Sequence, residues 1–215
     1  MKNINDFNYI FDMDGTLVNT AIATVPACEK SALKHNMPFK ESAEISSLIG
    51  YPDMEFHRRL YPGSEEELLR SFAREVENLE NEIIKEYGEK ILFDGAAQLL
   101  NTLKDNECYM AIASTGSTSH VNTALKESGI YHLFEAIECD HADKASMVER
   151  IMQTKSNGKW LIVGDRMTDL LAGQKNEIIT IAAKYGFGTE AEYAKFTYGI
   201  EYPLQLIDIL TNIEY

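Results

Sequence analysis

The sequence predicts an α/β fold, with a parallel sheet that has helices on both faces and a small all-helical cap inserted after the first strand. Two observations lead to this fold class. After about residue 94, short apolar runs alternate with longer helical segments, a pattern that is typical of β-α-β units. Between the first apolar run and residue 88, only helical segments are recognisable, which indicates a second lobe. We therefore expect a core domain of residues 1–17 and 88–215 and a cap of residues 18–87.

The elements are predicted from apolar runs and from the residues that begin or end helices. Pro52 is well placed as a first helical residue, where its missing N–H has no partner to lose. Ser64-Glu65-Glu66-Glu67 is a capping pattern for the longest helix, and Gly88 ends that helix. The predicted strands are residues 7–11, 108–113, 134–138, 160–163 and 178–182. The predicted helices are residues 20–34, 52–60, 64–87, 96–104, 118–127, 144–152, 169–174, 190–193 and 203–210.

The composition excludes several classes of partner. A net charge of −14 argues against nucleic acid or an anionic membrane, because both require a basic surface. No apolar stretch approaches the ~20 residues that span a bilayer, and the N-terminus lacks a hydrophobic signal segment, so we expect a cytoplasmic protein. Cys28, Cys108 and Cys139 are too widely spaced for a disulfide framework or a zinc knuckle. Nothing in the sequence indicates the oligomeric state.

The first chemical motif, Asp12-Met13-Asp14-Gly15-Thr16, follows directly on the first strand. Its two aspartates point to the same side, because side chains alternate along an extended chain. Carboxylates that close repel each other unless a cation lies between them or a proton is shared. Gly15 and Thr16 suit a sharp turn with a hydroxyl that orients a carboxylate. The alternative interpretation is an acidic strand-to-loop turn at the surface.

Two later strands also end in residues suited to chemistry. Ser114-Thr115-Gly116 follows one strand and Gly164-Asp165 follows another. In open α/β sheets, ligands bind beyond the carboxyl ends of the strands, so these segments and Asp12 are expected to converge. Ser114 and the N–H groups after it are predicted to hold a phosphoryl oxygen. A polar loop with a helix N-cap is the alternative.

Asp165, Asp169 and Lys144 complete the candidate site. The two aspartates stand four residues apart where a helix begins. Acidic residues are favourable in a first helical turn, but the apolar strand and the glycine before Asp165 favour a metal site. Lys144 begins another predicted helix, where the helix dipole disfavours a cation. Most single lysines are solvated surface residues, yet in the company of the other motifs we predict that Lys144 binds an anion.

These four motifs, in this order, resemble the haloacid dehalogenase-like superfamily of phosphohydrolases. The helical insert is similar to the small cap of its phosphoglycolate phosphatase and β-phosphoglucomutase branch, and the tail 185–192 also resembles the phosphatases of that branch. The resemblance implies a Rossmann-like core and Mg²⁺-dependent hydrolysis of a small phosphorylated metabolite. Asp14 supports phosphoryl chemistry, because dehalogenase members of the superfamily lack this second aspartate.

The resemblance also implies a role for each motif residue. Asp12 would attack phosphorus, and Asp14 would protonate the leaving alcohol and then activate water. The Asp12 carboxylate, the Asp14 main-chain carbonyl and Asp165 would hold Mg²⁺. The phosphoryl oxygens would be bound by Ser114, Thr115, Gly116 and Lys144. Thr16 would hold Asp14 in place, and Asp169 would anchor a metal-bound water or Lys144.

Two other functions stay open at this stage. In the mutase branch an arginine stands three residues after a cap glycine and binds a second phosphate. If Gly50 is that glycine, Asp53 stands in the arginine's place, although Arg58 or Arg59 of the same helix could substitute. A receiver-type signalling protein also combines aspartates, a hydroxyl and a lysine with Mg²⁺. Receivers are shorter, however, and phosphorylate an aspartate from a later strand.

Overall fold

The computed structural model describes residues 4–155 and 157–210, without the side chain of Asp53. In this part of the chain, six parallel strands form one sheet with the order β3-β2-β1-β4-β5-β6. The expected α/β fold is confirmed. The strands are β1 Phe7–Phe11, β2 Tyr109–Ala113, β3 Ala136–Glu138, β4 Lys159–Gly164, β5 Ile179–Ala183 and β6 Tyr198–Ile200.

The helices lie around the sheet and in the insert after β1. The insert contains α1 Ala21–Lys34, α2 Ser42–Ser47, α3 Asp53–Leu60 and α4 Glu66–Tyr87. The other helices are α5 Ala96–Asp105, α6 Thr118–Glu127, α7 Lys144–Gln153, α8 Met167–Lys175, α9 Glu190–Tyr193 and α10 Gln205–Leu210. Short 3₁₀ turns occur at Ile4–Asp6, Gly88–Ile91 and Tyr131–Leu133.

Strand β1 lies between β2 and β4, and this position brings the motifs together. All five of its residues are buried, as expected for a parallel strand covered by helices on both faces. Its last residue, Phe11, pairs with Ile112 of β2 and with Val163 of β4. The segments that follow these three strands therefore leave the same edge of the sheet side by side.

Helix α4 joins the cap to the core. Its apolar residues recur every three or four positions, which places Leu69, Phe72, Val76 and Ile83 on one buried face. This helix packs against α1 and α3 inside the cap and against α6 of the core. One face of α4 therefore forms part of the boundary between the two lobes.

Several helices begin one or two residues from their expected starts, and for α3 and α4 the expected start signals were wrong. Helix α3 begins at Asp53, and Pro52 is the extended residue before it, with ψ of 137°. Helix α4 begins at Glu66 after Glu65, which makes no side-chain capping hydrogen bond. The acidic residues of its first turn interact favourably with the helix dipole and can replace a capping hydroxyl. Gly88 does end α4, with φ of +56°.

No helix in the described ranges is long and apolar enough to cross a membrane. The three cysteines are free. The domain boundaries, the cytoplasmic location and the absence of a nucleic-acid or membrane partner stay predictions.

Candidate active site

Lys144 connects two aspartates at the sheet edge. Asp12 follows β1, and its N–H donates to the carbonyl of Val163 at 2.9 Å. Lys144, the first residue of α7, lies with its Nζ 2.7 Å from Asp12 Oδ1 and 2.7 Å from Asp169 Oδ1. All three side chains are buried. The lysine at a helix N-terminus is therefore stabilised by two carboxylates, which outweigh the unfavourable dipole.

Three buried carboxylates meet here. Oxygens of Asp12, Asp165 and Asp169 all lie within 4.8 Å of one another. Asp165 Oδ2 accepts the N–H of Phe187 at 2.6 Å, whereas its Oδ1 is buried without a hydrogen-bond partner in the described part of the chain. Hard oxygen donors with one vacant acceptor are the ligand set that Mg²⁺ prefers. The residues present therefore fit this cation.

Asp169 uses both of its oxygens within the protein. Oδ1 contacts Lys144, and Oδ2 accepts the N–H of Arg166 at 3.0 Å, which also caps α8. The geometry suits the expected anchoring of Lys144 more closely than direct ligation of a metal. That role stays a prediction.

The electrostatics of the cluster show an excess of negative charge. Burial, followed by the charge of Asp169, raises the pKa of Asp12 to about 7, although Lys144 acts in the opposite direction. Burial and the charges of Asp12 and Asp169 also raise the pKa of Asp165 well above its usual value. Burial alone would lower the pKa of Lys144, but the two carboxylates raise it. One lysine does not compensate three carboxylates, so a divalent cation would stabilise their ionised forms.

The turn after β1 requires glycine. Gly15 has φ of +82°, and a Cβ there would lie 2.2 Å from Asp165 Oδ2. A Cβ on Gly186 would lie 2.3 Å from the carbonyl oxygen of Gly15. Next to it, the hydroxyl of Tyr185 donates to the carbonyl of Thr16 at 2.9 Å. The loop after β5 therefore closes one side of the site, and its glycine permits the close approach.

Asp14 is held by residues other than the one expected. Its Oδ1 accepts from Thr20 Oγ1 at 2.5 Å and lies 2.9 Å from His120 Nε2. Burial alone would raise the pKa of Asp14, but the charge and hydrogen bond of His120 lower it. Thr16 Oγ1 is buried without a partner in the described ranges. The expectation that Thr16 holds Asp14 was wrong, because the turn directs the hydroxyl of Thr20 to that carboxylate.

The loop after β2 has an internal hydrogen-bond network. Ser114 is fully buried, its N–H donates to the carbonyl of Glu138 at 3.0 Å, and its Oγ accepts the N–H of Gly116 at 3.1 Å. Thr115 Oγ1 donates to the cap carbonyl of Gly50 at 3.4 Å. The N–H of Gly116 is therefore directed to Ser114 here. Binding of a phosphoryl oxygen by these groups stays a prediction.

Sequence reasoning missed His120, since the histidines show no ligand spacing. This residue lies in the first turn of α6 and is 7% exposed. Burial lowers its pKa, but the carboxylate of Asp14, followed by Glu80 and Glu77, raises the pKa to about 9. Its position was a usable signal, because the helix begins directly after a strand whose carboxyl end faces the crevice.

Beside Asp14, a cavity of about 110 Å³ separates cap and core. Thr115, Gly116, Ser117 and His120 line it on the core side. Apolar, neutral polar and acidic residues line it on the cap side, namely Thr24, Ile49, Gly50, Tyr51, Phe56, His57, Ala73, Val76, Glu77 and Glu80. Asp14 and Thr20 complete the lining.

Arg166 contacts both lobes and was not identified from the sequence. Its Nη1 donates to the carbonyls of Ser47 in the cap at 2.9 Å and of Phe187 in the core at 3.1 Å. Its guanidinium also lies 5.0 Å from the ring centroid of Tyr51. Because Arg166 directly follows Asp165, the carboxylate cluster and the cap are connected through one short segment.

Comparison with known proteins identifies the family. Residues 9–183 match the family model described as haloacid dehalogenase-like hydrolase. The chain belongs to this family. The hydrolase is 24% identical to a 5'-nucleotidase from Pseudomonas aeruginosa over 194 residues, which cover 86% of each chain. It is 26% identical to pyrophosphatase PpaX from Listeria innocua over 200 residues, which cover 87% of each.

The fold of the hydrolase is also similar to solved structures. A predicted phosphoglycolate phosphatase from Haemophilus somnus aligns with a TM-score of 0.83 at 19% identity, over 96% of this chain and 99% of that one. A β-phosphoglucomutase from Clostridium difficile aligns with a TM-score of 0.75 at 21% identity, over 95% of this chain and 96% of that one. The resemblance to this superfamily is thus confirmed.

Proposed function

We propose that the hydrolase is a Mg²⁺-dependent phosphatase that hydrolyses a small phosphomonoester through an aspartyl-phosphate. The observation that carries this proposal is the position of the buried Asp12 carboxylate. Its Oδ1 lies 2.7 Å from Lys144 Nζ, and a carboxylate oxygen of Asp165 lies within 4.8 Å of one of its oxygens. Asp12 is thus a nucleophile that lies beside one cation, the ammonium of Lys144, and beside a carboxylate that can bind a second cation, Mg²⁺. Two of the relatives have names that describe enzymes acting on phosphate compounds, a 5'-nucleotidase and a pyrophosphatase.

The nucleophile is Asp12. Its carboxylate attacks phosphorus and forms an acyl phosphate while the alcohol leaves, and water then attacks the acyl phosphate and releases inorganic phosphate. When bound, Mg²⁺ would be held by the carboxylates of Asp12 and Asp165 and the main-chain carbonyl of Asp14, and it would supply positive charge opposite the phosphoryl oxygens. Lys144 opposes the rise in the pKa of Asp12 that burial causes, and bound Mg²⁺ would further favour the ionised form of the attacking oxygen.

Asp14 is the proposed acid and base. Because the pKa of His120 is raised to about 9, the pair of His120 and Asp14 holds one proton at neutral pH. This proton lies on His120, because the pKa of Asp14 is lowered. His120 transfers it to Asp14 as Asp14 protonates the leaving oxygen, and in the second step Asp14 takes a proton from the attacking water and His120 is protonated again. Ser114 and Lys144 bind the equatorial oxygens, whose charge spreads in the transition state. The cap excludes bulk water from the acyl phosphate.

Substitution of the nucleophile tests the proposal. Asp12→Asn should lower the Mg²⁺-dependent release of phosphate from an aryl phosphate by about 10³-fold or more, because an amide does not form the acyl phosphate. The exposed Asp105→Asn is the matched control and should retain full activity. Near wild-type turnover in Asp12→Asn would contradict the nucleophile assignment.

The mutase alternative has less support than hydrolysis. Arg58 pairs with Glu66 at 2.8 Å and Arg59 pairs with Glu55 at 2.8 Å, and neither arginine lines the cavity beside Asp14. The side chain of Asp53 lies outside the described residues. The receiver alternative is disfavoured because the family model extends from β1 to β5 and includes the cap.

A further inference from the structure

The cavity beside Asp14 has an acidic lining. Glu77 and Glu80 of α4 face the cavity together with Asp14, whereas no lysine or arginine lines it among the described side chains. Within the same described lining, the cationic group opposite these three carboxylates is His120, which already contacts Asp14. The cavity therefore has more negative charge than positive charge. A second phosphate or a carboxylate on the substrate would be repelled there.

Both glutamates are held in place and still have acceptor capacity. Glu80 Oε1 accepts from Thr24 Oγ1 at 2.5 Å, and Glu77 Oε1 accepts from Ser117 Oγ at 2.6 Å. A carboxylate accepts about four hydrogen bonds, so each has room for further donors. Burial raises the pKa of Glu80, because an uncompensated charge is unfavourable away from water. A bound cation would remove this penalty.

A histidine of the cavity wall provides independent evidence of a missing ligand. His57 is 6% exposed and lines the cavity, and its Nδ1 has no hydrogen-bond partner within the described ranges. Burial lowers the pKa of His57 to about 4, so its ring is neutral and has one nitrogen that accepts. Buried polar atoms without a partner are rare.

The size of the cavity limits the ligand. Its volume of about 110 Å³ is well below the ~300 Å³ at which pockets for drug-sized ligands begin. A leaving group of a few non-hydrogen atoms fits in this volume. The ring of Phe56 adds an apolar wall, which suits the methylene groups of a short chain.

We propose, on the basis of the proposed phosphatase function, that this cavity binds the ammonium of the leaving group and that the substrates are small amino-alcohol phosphates. A primary ammonium has three donors, which match the carboxylates of Glu77 and Glu80 and one ring nitrogen of His57. In the reaction the P–O bond to the alcohol oxygen breaks, water supplies a hydroxyl to phosphorus, and the amino alcohol leaves with a proton.

A set of three two-carbon esters tests this substrate class. We compare 2-aminoethyl phosphate, 2-hydroxyethyl phosphate and 2-phosphoglycolate, which are similar in size and differ in their terminal group. With Mg²⁺, kcat/KM for the amine should exceed that for the hydroxyl by about 10- to 100-fold, the usual effect of a charge-assisted hydrogen bond. The carboxylate ester should be the poorest substrate. A preference for the hydroxyl or the carboxylate, or equal values, would overturn the inference and leave the phosphatase proposal intact.

Variants of the cavity wall add a second readout. Glu80→Gln keeps the acceptor for Thr24 but loses the charge, so the ratio of kcat/KM for the amine to that for the hydroxyl should fall about 10-fold. Glu77→Gln should act in the same direction and serves if the first variant does not fold. The exposed Glu82→Gln on the same helix is the control and should keep the wild-type ratio. A merely structural role would lower both activities equally and leave the ratio unchanged, which would contradict the proposal. Release of phosphate from the aryl phosphate but from none of the three esters would overturn the substrate class, whereas release from neither would overturn the phosphatase function itself.

Discussion

The carboxylate of Asp14 depends on two residues of different lobes and elements. Thr20 immediately precedes α1, and His120 lies in α6, yet both contact the same oxygen, Oδ1. The other oxygen of Asp14 can therefore face the leaving group with a defined orientation. Neither partner is recognisable from the motif Asp12-Met13-Asp14-Gly15-Thr16, because chain folding and not sequence spacing brings them together.

At this residue, the effect of a substitution should depend on the leaving group. Asp14→Ala should lower kcat/KM about 10²- to 10⁴-fold for an alkyl phosphate, which needs a proton on its leaving oxygen. The loss should be much smaller for 4-nitrophenyl phosphate, because its phenolate leaves without protonation. The measurement is phosphate release from both esters, with Asp105→Ala as the control. An equal loss for both esters would count against the acid role.

Among the elements, the turn between β1 and the cap has the strictest steric requirement. Gly15→Ala places a Cβ 2.2 Å from Asp165 Oδ2 at φ of +82°. Gly63→Ala is a matched control, since Gly63 has φ of +80° but nothing among the described residues within 4 Å of the added Cβ.

Both alanine variants should lower the free energy of unfolding by about 1 kcal/mol through backbone strain. Gly15→Ala should lose a further ~1–3 kcal/mol and most of the activity, because Asp165 must move. Chemical denaturation and phosphate release measure these effects. Similar values for the two variants would show that steric contact with Asp165 is not important.

Elements with a clear apolar pattern could be predicted from the sequence, whereas short elements without such a pattern could not. The strand at 7–11 and the helix at 118–127 coincide with β1 and α6, because their apolar residues form continuous or helical patterns. Strand β6, Tyr198–Ile200, was not predicted, since three residues with a central glycine carry little pattern. Helix α2 is also short and mostly polar. Such elements form because neighbouring elements supply their packing.

The residues of the candidate site also differ in whether the sequence alone reveals them. Asp12, Lys144 and Asp165 were recognisable because each lies directly at the end of a strand or the start of a helix. Glu77 and Glu80 look like ordinary charged residues of a long helix. They become part of a cavity only because α4 packs against α6, a tertiary contact that helical periodicity does not reveal.

For the whole molecule, the carboxylate cluster links stability to pH and, under the proposed function, to Mg²⁺. The pKa of Asp12 is about 7 in the folded protein, against an ordinary value of 3.8 for an aspartate in water. Protonated Asp12 therefore stabilises the fold at low pH, and this contribution is lost as the pH rises through about 7. Bound Mg²⁺ favours the ionised carboxylates, so it offsets the loss at high pH and competes with protons at low pH.

The melting temperature should reveal this linkage. Saturating Mg²⁺ should raise Tm by about 2–4 °C or more at pH 8 and by clearly less at pH 5. Asp165→Asn removes a ligand and should abolish the increase. Calorimetry of the wild type and of Asp165→Asn, each with Mg²⁺ or with a chelator, measures the increase and its loss. Equal increases at the two pH values would mean that Mg²⁺ does not bind at this cluster.

The position of Arg166 affects how the two lobes can separate. Its guanidinium binds a carbonyl of the cap, and its backbone N–H binds Asp169. Under the proposed function, parting of the lobes to admit or release a molecule would break the hydrogen bond between Arg166, the residue after Asp165, and Ser47. Each opening would then also loosen the backbone that carries Asp165, so we expect turnover and retention of Mg²⁺ to depend on each other.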